Sequence, residues 1–488
     1  MPDRPDHPNI LFIFTDQQRA DTMACYGNTI ISTPNLNALA GKSYVFDNCY
    51  VSSPICTPSR GTIMTGLWPH THGAMKNNIK LDDSVQTIAD MLPDDYLKAY
   101  YGKWHLGNEV IRQHGFDEWL SIEDQYREYY TDPEYREVLS DYHHFLVANG
   151  FKPDTESEGS MVFSRPYAAA MPEEYTKATF LGNRAAEFIH KNKDRPFALY
   201  VNIFEPHPPY DGPFNDMYDP ASIPVPPTFL VNPPDNAGLH HKVRAQESLL
   251  KGGFEPKPDG ELTEKFWRET IARYWGMVTL VDKAVGNILQ ALEDEGIADN
   301  TIIVYSAEHG DQMGEHNIIQ KAVFYEQSIK VPMLLRVPWL GDGQRVPGRY
   351  GHIDTVPTLL DLCGADIPAH LQGESRVPVL TGETTLADND VVIDWTGRNL
   401  DASSNYVDTL PDLDVTMNTQ HRVLIGRDGW KLILSPLDQG ELYDLNNDPY
   451  EQINLFDDQA HRERIRNMAA RIKEWQGRNG DTAELRAV

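Results

Sequence analysis

Four apolar runs in this chain each end on side chains that can do chemistry. NILFIF (Asn9–Phe14) leads into Thr15-Asp16, and LKAYYGKWH (Leu97–His105) runs through glycine to Lys103 and His105. FALYVNIFEPHPP (Phe197–Pro209) is stopped by prolines around His207, and TIIVYSAEHG (Thr301–Gly310) closes on Glu308, His309 and glycine. Short apolar runs bounded by turn residues read as buried strands. Before the last of them, Ile271, Tyr274, Val278, Val281, Val285, Ile288 and Leu292 recur at steps of three and four, and Asp294-Glu295-Gly296 supplies a stop. That is an amphipathic helix, and a second is expected around Glu173–Lys191. Helices alternating with apolar strands predict an α/β fold, a mostly parallel sheet covered on both faces. Sites in such sheets form at the C-terminal strand ends. Asp16, His105, His207 and His309 are therefore expected to share one.

After about residue 375 the pattern changes. DNDVVIDWTG, HRVLIGRDGWKLILS and GELYDL read as short strands separated by turns, and a helix is expected at roughly His461–Gln476. The reading is a catalytic α/β domain over 1–375 and a smaller α+β domain with an antiparallel sheet over 376–488.

The segment SPICTPSRGT (Ser53–Thr62) holds one of four cysteines, and none of the four has a CxxC spacing. Neither a zinc site nor a disulfide framework is suggested. Cys56 falls in a loop, with Pro58 placed for the first turn of a helix. A helix N-terminus, with its unpaired N–H groups, suits a tetrahedral anion. By chemistry alone Cys56 is either a thiolate nucleophile or a buried inert thiol.

CTPSR (Cys56–Arg60) resembles the sulfatase signature Cys-x-Pro-Ser-Arg. GTIMTGLWPHTHG, NILFIFTDQQRAD, YYGKWHLG, EPHPPY, SAEHGDQMGEH and GELYDLNNDPYEQINL also resemble blocks of the type I, formylglycine-dependent sulfatases, in the family's order. The resemblance spans Asn9 to about Leu455. It implies an alkaline-phosphatase-like fold and hydrolysis of sulfate monoesters to an alcohol or phenol plus inorganic sulfate. It also implies that a formylglycine-generating maturation enzyme oxidises Cys56 to an aldehyde. One hydroxyl of the aldehyde hydrate attacks sulfur to give a covalent sulfo-enzyme, and the other loses its proton so that sulfate is expelled.

The same correspondence implies the remaining roles. Asp16, Gln17, Glu308 and His309, with residue 56, look like metal ligands. Oxygen-rich ligation suits a hard cation, calcium first, and the histidine leaves manganese open. Glu308 stands where the family carries aspartate, which puts its direct ligation in question. Arg60 is expected to stabilise the hydrate or its alkoxide. Lys103 and His105 are expected to contact the sulfate oxygens and the hydroxyl, His105 as the base that triggers release. His207 and Lys321 are expected to face the leaving-group oxygen. His70 and His72 read as structural or supporting. The aromatic-rich segment Tyr126–Phe145 reads as core packing or surface loop rather than as substrate pocket.

Two other functions compete. Phosphonate monoester or phosphodiester hydrolases of the same superfamily share the Asp-Gln start. They tend to place tyrosine and threonine where this chain has Lys103 and His105, so the Lys-x-His pair favours sulfate. A catalytically silent sulfate binder would be expected to lack Cys56, Arg60 or Lys321, and all three are present. Lysine plus arginine total 43 against 72 acidic residues, a formal charge of −29, which repels nucleic acid and anionic lipid. No apolar run reaches the ~18 residues of a membrane span, and the polar start MPDRPDHPN has no signal-peptide pattern. With few cysteines, cytoplasmic residence is expected. The expected partner is a small-molecule or saccharide sulfate ester; aryl, alkyl and sugar sulfates, and a homo-oligomeric state, are left open.

Overall fold

Every residue of Asn9–Thr15 (β1) is buried. Ile10, Phe12 and Phe14 join one apolar cluster and Leu11 and Ile13 another. A strand that is apolar on both faces belongs at the centre of a sheet covered on both sides. In the computed structural model, which describes residues 4–251, 263–397 and 418–488, that is its position. The other strands of the sheet are Tyr44–Phe46 (β2), Leu97–Gly102 (β3), Glu118–Leu120 (β4), Phe197–Ile203 (β5), Thr301–Ala307 (β6), Met333–Arg336 (β7) and Arg345–Val346 (β8). Their order is β8-β2-β7-β6-β1-β5-β3-β4, and within this sheet β7 alone runs against the rest.

One face is covered by Pro34–Gly41 (α1), Lys177–Asn192 (α3) and Glu264–Asp294 (α4), the other by Cys56–Thr65 (α2) and Thr355–Cys363 (α5). All seven periodic apolar positions of α4 are buried. The helix is capped by Thr263, which accepts from the Phe266 N–H. Expected from Glu173, α3 starts at Lys177, because Thr176 caps it and a 3₁₀ turn occupies Glu173–Tyr175.

Towards the C-terminus, Val391–Trp395 (β9), His421–Ile425 (β10), Trp430–Leu434 (β11) and Glu441–Asp444 (β12) form an antiparallel sheet, and Arg462–Asn479 (α6) lies on it. Leu424, Leu432 and Leu442 pack with Ile465, Met468 and Ile472 of α6. Ile393, Val423 and Ile433, on the opposite face, join the cluster beneath the main sheet. Among the described residues, no helix is long and apolar enough to cross a membrane.

Gly102 ends β3 at φ +123°, and a Cβ there would fall 2.0 Å from the Asn202 carbonyl oxygen of β5. Only glycine lets the chain turn so close to its neighbour and bring Lys103 to the strand end.

Candidate active site

Strands β1, β3, β5 and β6 are neighbours, and the chain leaving each reaches one buried cluster. Asp16 follows β1, Lys103 follows β3 and Glu308-His309 follows β6, all fully buried. Cys56 does not lie in the loop expected for it. Ile55 is the last extended residue, at φ −151°, and Cys56 opens α2 itself, with Pro58 inside the first turn. The thiol is thereby fixed by a helix whose every residue is buried.

Three groups close on the Cys56 sulfur: Lys321 Nζ at 3.0 Å, His309 Nε2 at 3.3 Å and Lys103 Nζ at 3.9 Å. Burial and Glu308 oppose ionisation of the thiol, but Lys103 and Lys321 outweigh them and lower its pKa. Burial and Lys321 press the His309 imidazole towards its neutral form, while Cys56 and Glu308 carry it up to about 9. Asp16 accepts from Lys103 Nζ at 2.5 Å and from Arg60 Nη2 at 3.3 Å. Burial favours its neutral acid, yet Lys103 and Lys321 hold it well below the usual carboxylate range.

Arg60 is anchored through Nη1, which donates to the Lys103 carbonyl at 2.5 Å and to Asn202 Oδ1 at 2.9 Å. Its Nε meets the Glu308 carboxylate. The extra methylene of Glu308 does not carry its carboxyl away: Oε1 is 3.2 Å from His309 Nε2. One ligand atom from each of Asp16, Cys56, Glu308 and His309 lies within 4.8 Å of the others. Ligands held at 2.3–2.6 Å around one ion can be about that far apart. Asp16 Oδ1 is a buried acceptor with no hydrogen-bond partner among the described residues, and Glu308 Oε1 makes no hydrogen bond there beyond its ion pair with the His309 ring. Carboxyl oxygens left so are what a hard cation would take up.

Gln17 has φ +69°. Its Nε2 donates to Asp311 Oδ2 at 2.5 Å and to Tyr210 Oη at 3.1 Å. That fixes the amide with Oε1 turned inward, where it accepts from Lys321 Nζ at 2.8 Å. The backbone is left-handed on either side of Lys321, with Gln320 at φ +67° and Ala322 at φ +69°. The Asp311 carboxylate also accepts from the Gln320 N–H, so one acid orients both Gln17 and the Lys321 turn.

His105 is buried at φ +54°. The Trp104 and His105 N–H groups both donate to Glu109, at 2.8 and 2.5 Å. Its Nε2 is 2.7 Å from Asn78 Oδ1, so the proton belongs on Nε2. Nδ1 has no partner among the described residues. Burial first, then Lys103 and Arg60, hold His105 neutral, with its pKa well below the usual imidazole range. His207 is also held neutral, chiefly by burial, and its Nδ1 donates to the Pro208 carbonyl at 2.7 Å. His72 lies behind α2, with Nε2 donating to Pro58 O at 3.2 Å. His70 donates to Asp394 at 2.6 Å.

The cluster thus gathers Asp16, Gln17, Cys56, Arg60, Lys103, Glu308, His309 and Lys321. His105 is tied to it through Thr57, whose hydroxyl donates to the His105 carbonyl at 2.8 Å. Sequence reading missed Tyr126, whose ring stacks on His105 with centroids 4.0 Å apart. It belongs at the site, not in the core or on a free surface loop. It also missed Asp311, although SAEHGDQMGEH places this acid three residues after Glu308.

Residues 8–365 match the family model described as Sulfatase, and residues 314–478 match one described as N-sulphoglucosamine sulphohydrolase, C-terminal. An N-acetylglucosamine-6-O-sulfatase of Bacteroides thetaiotaomicron is 27% identical, over 92% of this chain and 82% of its own length. A phosphonate monoester hydrolase from Silicibacter pomeroyi shares the fold with TM-score 0.79 at 23% identity, covering 97% of this chain and 96% of its own. A structure solved in complex with its substrate D-glucosamine-2-N,6-O-disulfate has TM-score 0.76 at 24% identity, covering 98% of this chain and 99% of its own.

Proposed function

The chain belongs to the sulfatase family, and from that premise we propose that it hydrolyses sulfate monoesters through a formylglycine made from Cys56. The observation that carries this reading is the convergence of Lys321, His309 and Lys103 on the Cys56 sulfur, beside Asp16 and Glu308. A nucleophile at residue 56 would be met there by positive charge on several sides.

Residue 56, as the aldehyde hydrate, attacks sulfur with one hydroxyl, which gives up its proton to solvent as it attacks. The S–O bond to the leaving alcohol breaks as the new one forms, and the alcohol oxygen takes a proton. His207 is a poor donor for that proton, since its Nδ1–H is given to Pro208 O and burial keeps the ring neutral. Lys321, 2.8 Å from Gln17 and 3.0 Å from the Cys56 sulfur, is the better one, with His207 contacting the leaving oxygen. Neutral His105, with Nδ1 unpartnered among the described residues, then takes the proton of the second hydroxyl. The aldehyde re-forms as sulfate leaves, and water restores the hydrate. Arg60 and Lys103 hold the negative oxygens throughout.

Asp16, Gln17, Glu308 and His309, with residue 56, would hold a divalent cation, calcium first and manganese as the alternative. When bound, it supplies positive charge that polarises the sulfate and the attacking hydroxyl.

The substrate class we propose is a sulfated saccharide or small sulfate ester, matured enzyme being a precondition. The saccharide names carried by the relatives above support it. Four free thiols support a reducing compartment, and cytoplasmic residence is part of the same proposal. The shared fold makes a phosphonate monoester or phosphodiester hydrolase the second reading. Lys103 and His105 at the cluster favour sulfate. Steady-state kinetics on matched aryl sulfate and aryl phosphonate esters decide between them. A higher kcat/KM for the sulfate is expected, and a strong preference for the phosphonate would promote the second reading.

A further inference from the structure

Beyond the reacting groups, a second set of cations shares their aromatic walls. Arg165 Cζ lies 4.9 Å from the centre of the Tyr126 ring, and Lys103 Nζ lies 5.3 Å from the same centre. Since Tyr126 also stacks on His105, Arg165 is one ring away from two groups of the proposed sulfate site. Phe204 repeats the arrangement. Lys177 Nζ is 4.4 Å and Arg165 Cζ 5.5 Å from its ring, with Lys103 Nζ at 5.4 Å and the His207 ring at 4.7 Å. Arg165, Lys177, Phe204 and His207 line one narrow cleft. This small cleft, with a free volume of about 20 Å³, lies between His207, on the proposed leaving-group side of the site, and the two cations.

The charges at the far end of this cleft do not cancel cleanly. Among the described residues Glu123 is the one acid that pairs with both cations, 3.1 Å from Arg165 Nε and 3.5 Å from Lys177 Nζ. Two acids line the cleft itself: Glu205, which burial pushes up so that it resists ionisation, and Asp211, whose carboxylate accepts from the Gly212 N–H and the Asn215 amide. Arg165 Nη2 is buried and makes no hydrogen bond among the described residues. A guanidinium presents donors in a fork matched to carboxylate or sulfate oxygens, and a buried donor left unpaired is costly. The reaction as proposed gives Arg165 and Lys177 no task.

We propose that Arg165, backed by Lys177, binds a second anionic group, a carboxylate or another sulfate, on the leaving alcohol, so that the enzyme prefers doubly charged sulfate esters. This rests on the sulfatase reading and narrows it to acidic substrates, such as sulfated sugars bearing a second sulfate or a carboxylate.

The test uses matured full-length enzyme and three probes: a neutral-ring aryl sulfate, the same ester with a ring carboxylate, and the same ester with a second ring sulfate. The readout is the ratio of kcat/KM for each doubly charged probe to that for the singly charged one. In the unsubstituted enzyme at least one ratio should exceed about 10, the scale of one charge-assisted hydrogen bond. The probe that benefits identifies the anion. Arg165→Gln should bring that ratio towards one, mainly through KM, and Lys177→Met should lower it in the same direction. Lys177→Met also covers the case in which Arg165→Gln does not fold. Turnover of all three probes with ratios near one, or ratios untouched by both substitutions, would overturn the inference while leaving the sulfatase reading in place. Failure to turn over any probe would overturn that reading, and the inference with it.

Discussion

At the scale of single residues, the site depends on groups that act on the substrate and on groups that aim them. Lys103→Ala and His105→Ala should each lower sulfatase kcat by about 10²-fold or more, the usual effect of removing an acid–base or charge-stabilising group. A loss under threefold in kinetics of the purified variants would remove either residue from the mechanism. Asp16→Asn tests the metal set differently. It should leave the fold intact while bound calcium or manganese, measured by elemental analysis after dialysis, falls in parallel with activity. Retained metal with lost activity would reassign Asp16 to charge balance for Lys103 and Arg60, which it pairs with directly. Asp311 aims rather than acts. Replacing it with leucine frees the Gln17 amide to rotate and should weaken metal binding without removing a ligand, checked by titration of metal into chelator-treated enzyme.

At the scale of elements, α2 carries both residue 56 and Arg60, so its placement sets the geometry of the reaction. A Cβ on Gly61 would lie 2.4 to 2.8 Å from atoms of the His72 ring, which itself holds the Pro58 carbonyl. In an exposed helix, glycine to alanine stabilises by about 1 kcal/mol. Here Gly61→Ala should instead destabilise by about 1–3 kcal/mol through overpacking. Much of that loss should be recovered when His72 is also made alanine, as read by denaturant unfolding of the double-mutant cycle. Full additivity would mean that the ring is not what alanine meets. These elements were legible in the sequence because their signals are local. The seven-position stripe of α4, the strand runs and the CTPSR segment each lie in one continuous stretch. Tyr126 and Asp311 were not legible as site residues. Tyr126 meets His105 through a loop with no periodicity, and Asp311 meets Gln17 across 294 positions of chain. Spacing within one sequence carries no trace of such pairings.

At the scale of the molecule, the C-terminal sheet is buried on both faces, by α6 on one side and by the main cluster on the other. We therefore take the change near residue 375 as a division within one cooperative structure, and a chain ending at 375 should expose that apolar face and fail to unfold cooperatively on heating. Acid should also weaken the whole fold. Burial lowers His72 to about 4 and His316 and His352 to about 3, so each folded imidazole stays neutral where the unfolded one, near 6.5, is protonated. Between those values the unfolded state binds more protons, and stability falls as pH falls from about 6.5 towards 4. His70 works the other way. Burial disfavours its charge, but Asp394 outweighs burial and raises its pKa, giving stability at low pH that is lost as pH rises through the folded value. His105 and His207 act in the same direction as these three and His309 in the same direction as His70, so the lowered groups outnumber the raised ones; the urea midpoint should be lower at pH 5 than at pH 7, and an equal or higher midpoint at pH 5 would contradict this.

The most direct measurement is the mass of the intact chain, taken on preparations matured to different extents and compared with their turnover of a sulfate ester. Conversion of Cys56 to formylglycine removes about 18 Da. Activity should rise in proportion to the converted fraction and extrapolate to nearly zero where none is converted, as it should for Cys56→Ala. Unconverted protein that turns over sulfate esters as fast as converted protein would contradict the formylglycine mechanism and return the Cys56 thiolate as the nucleophile.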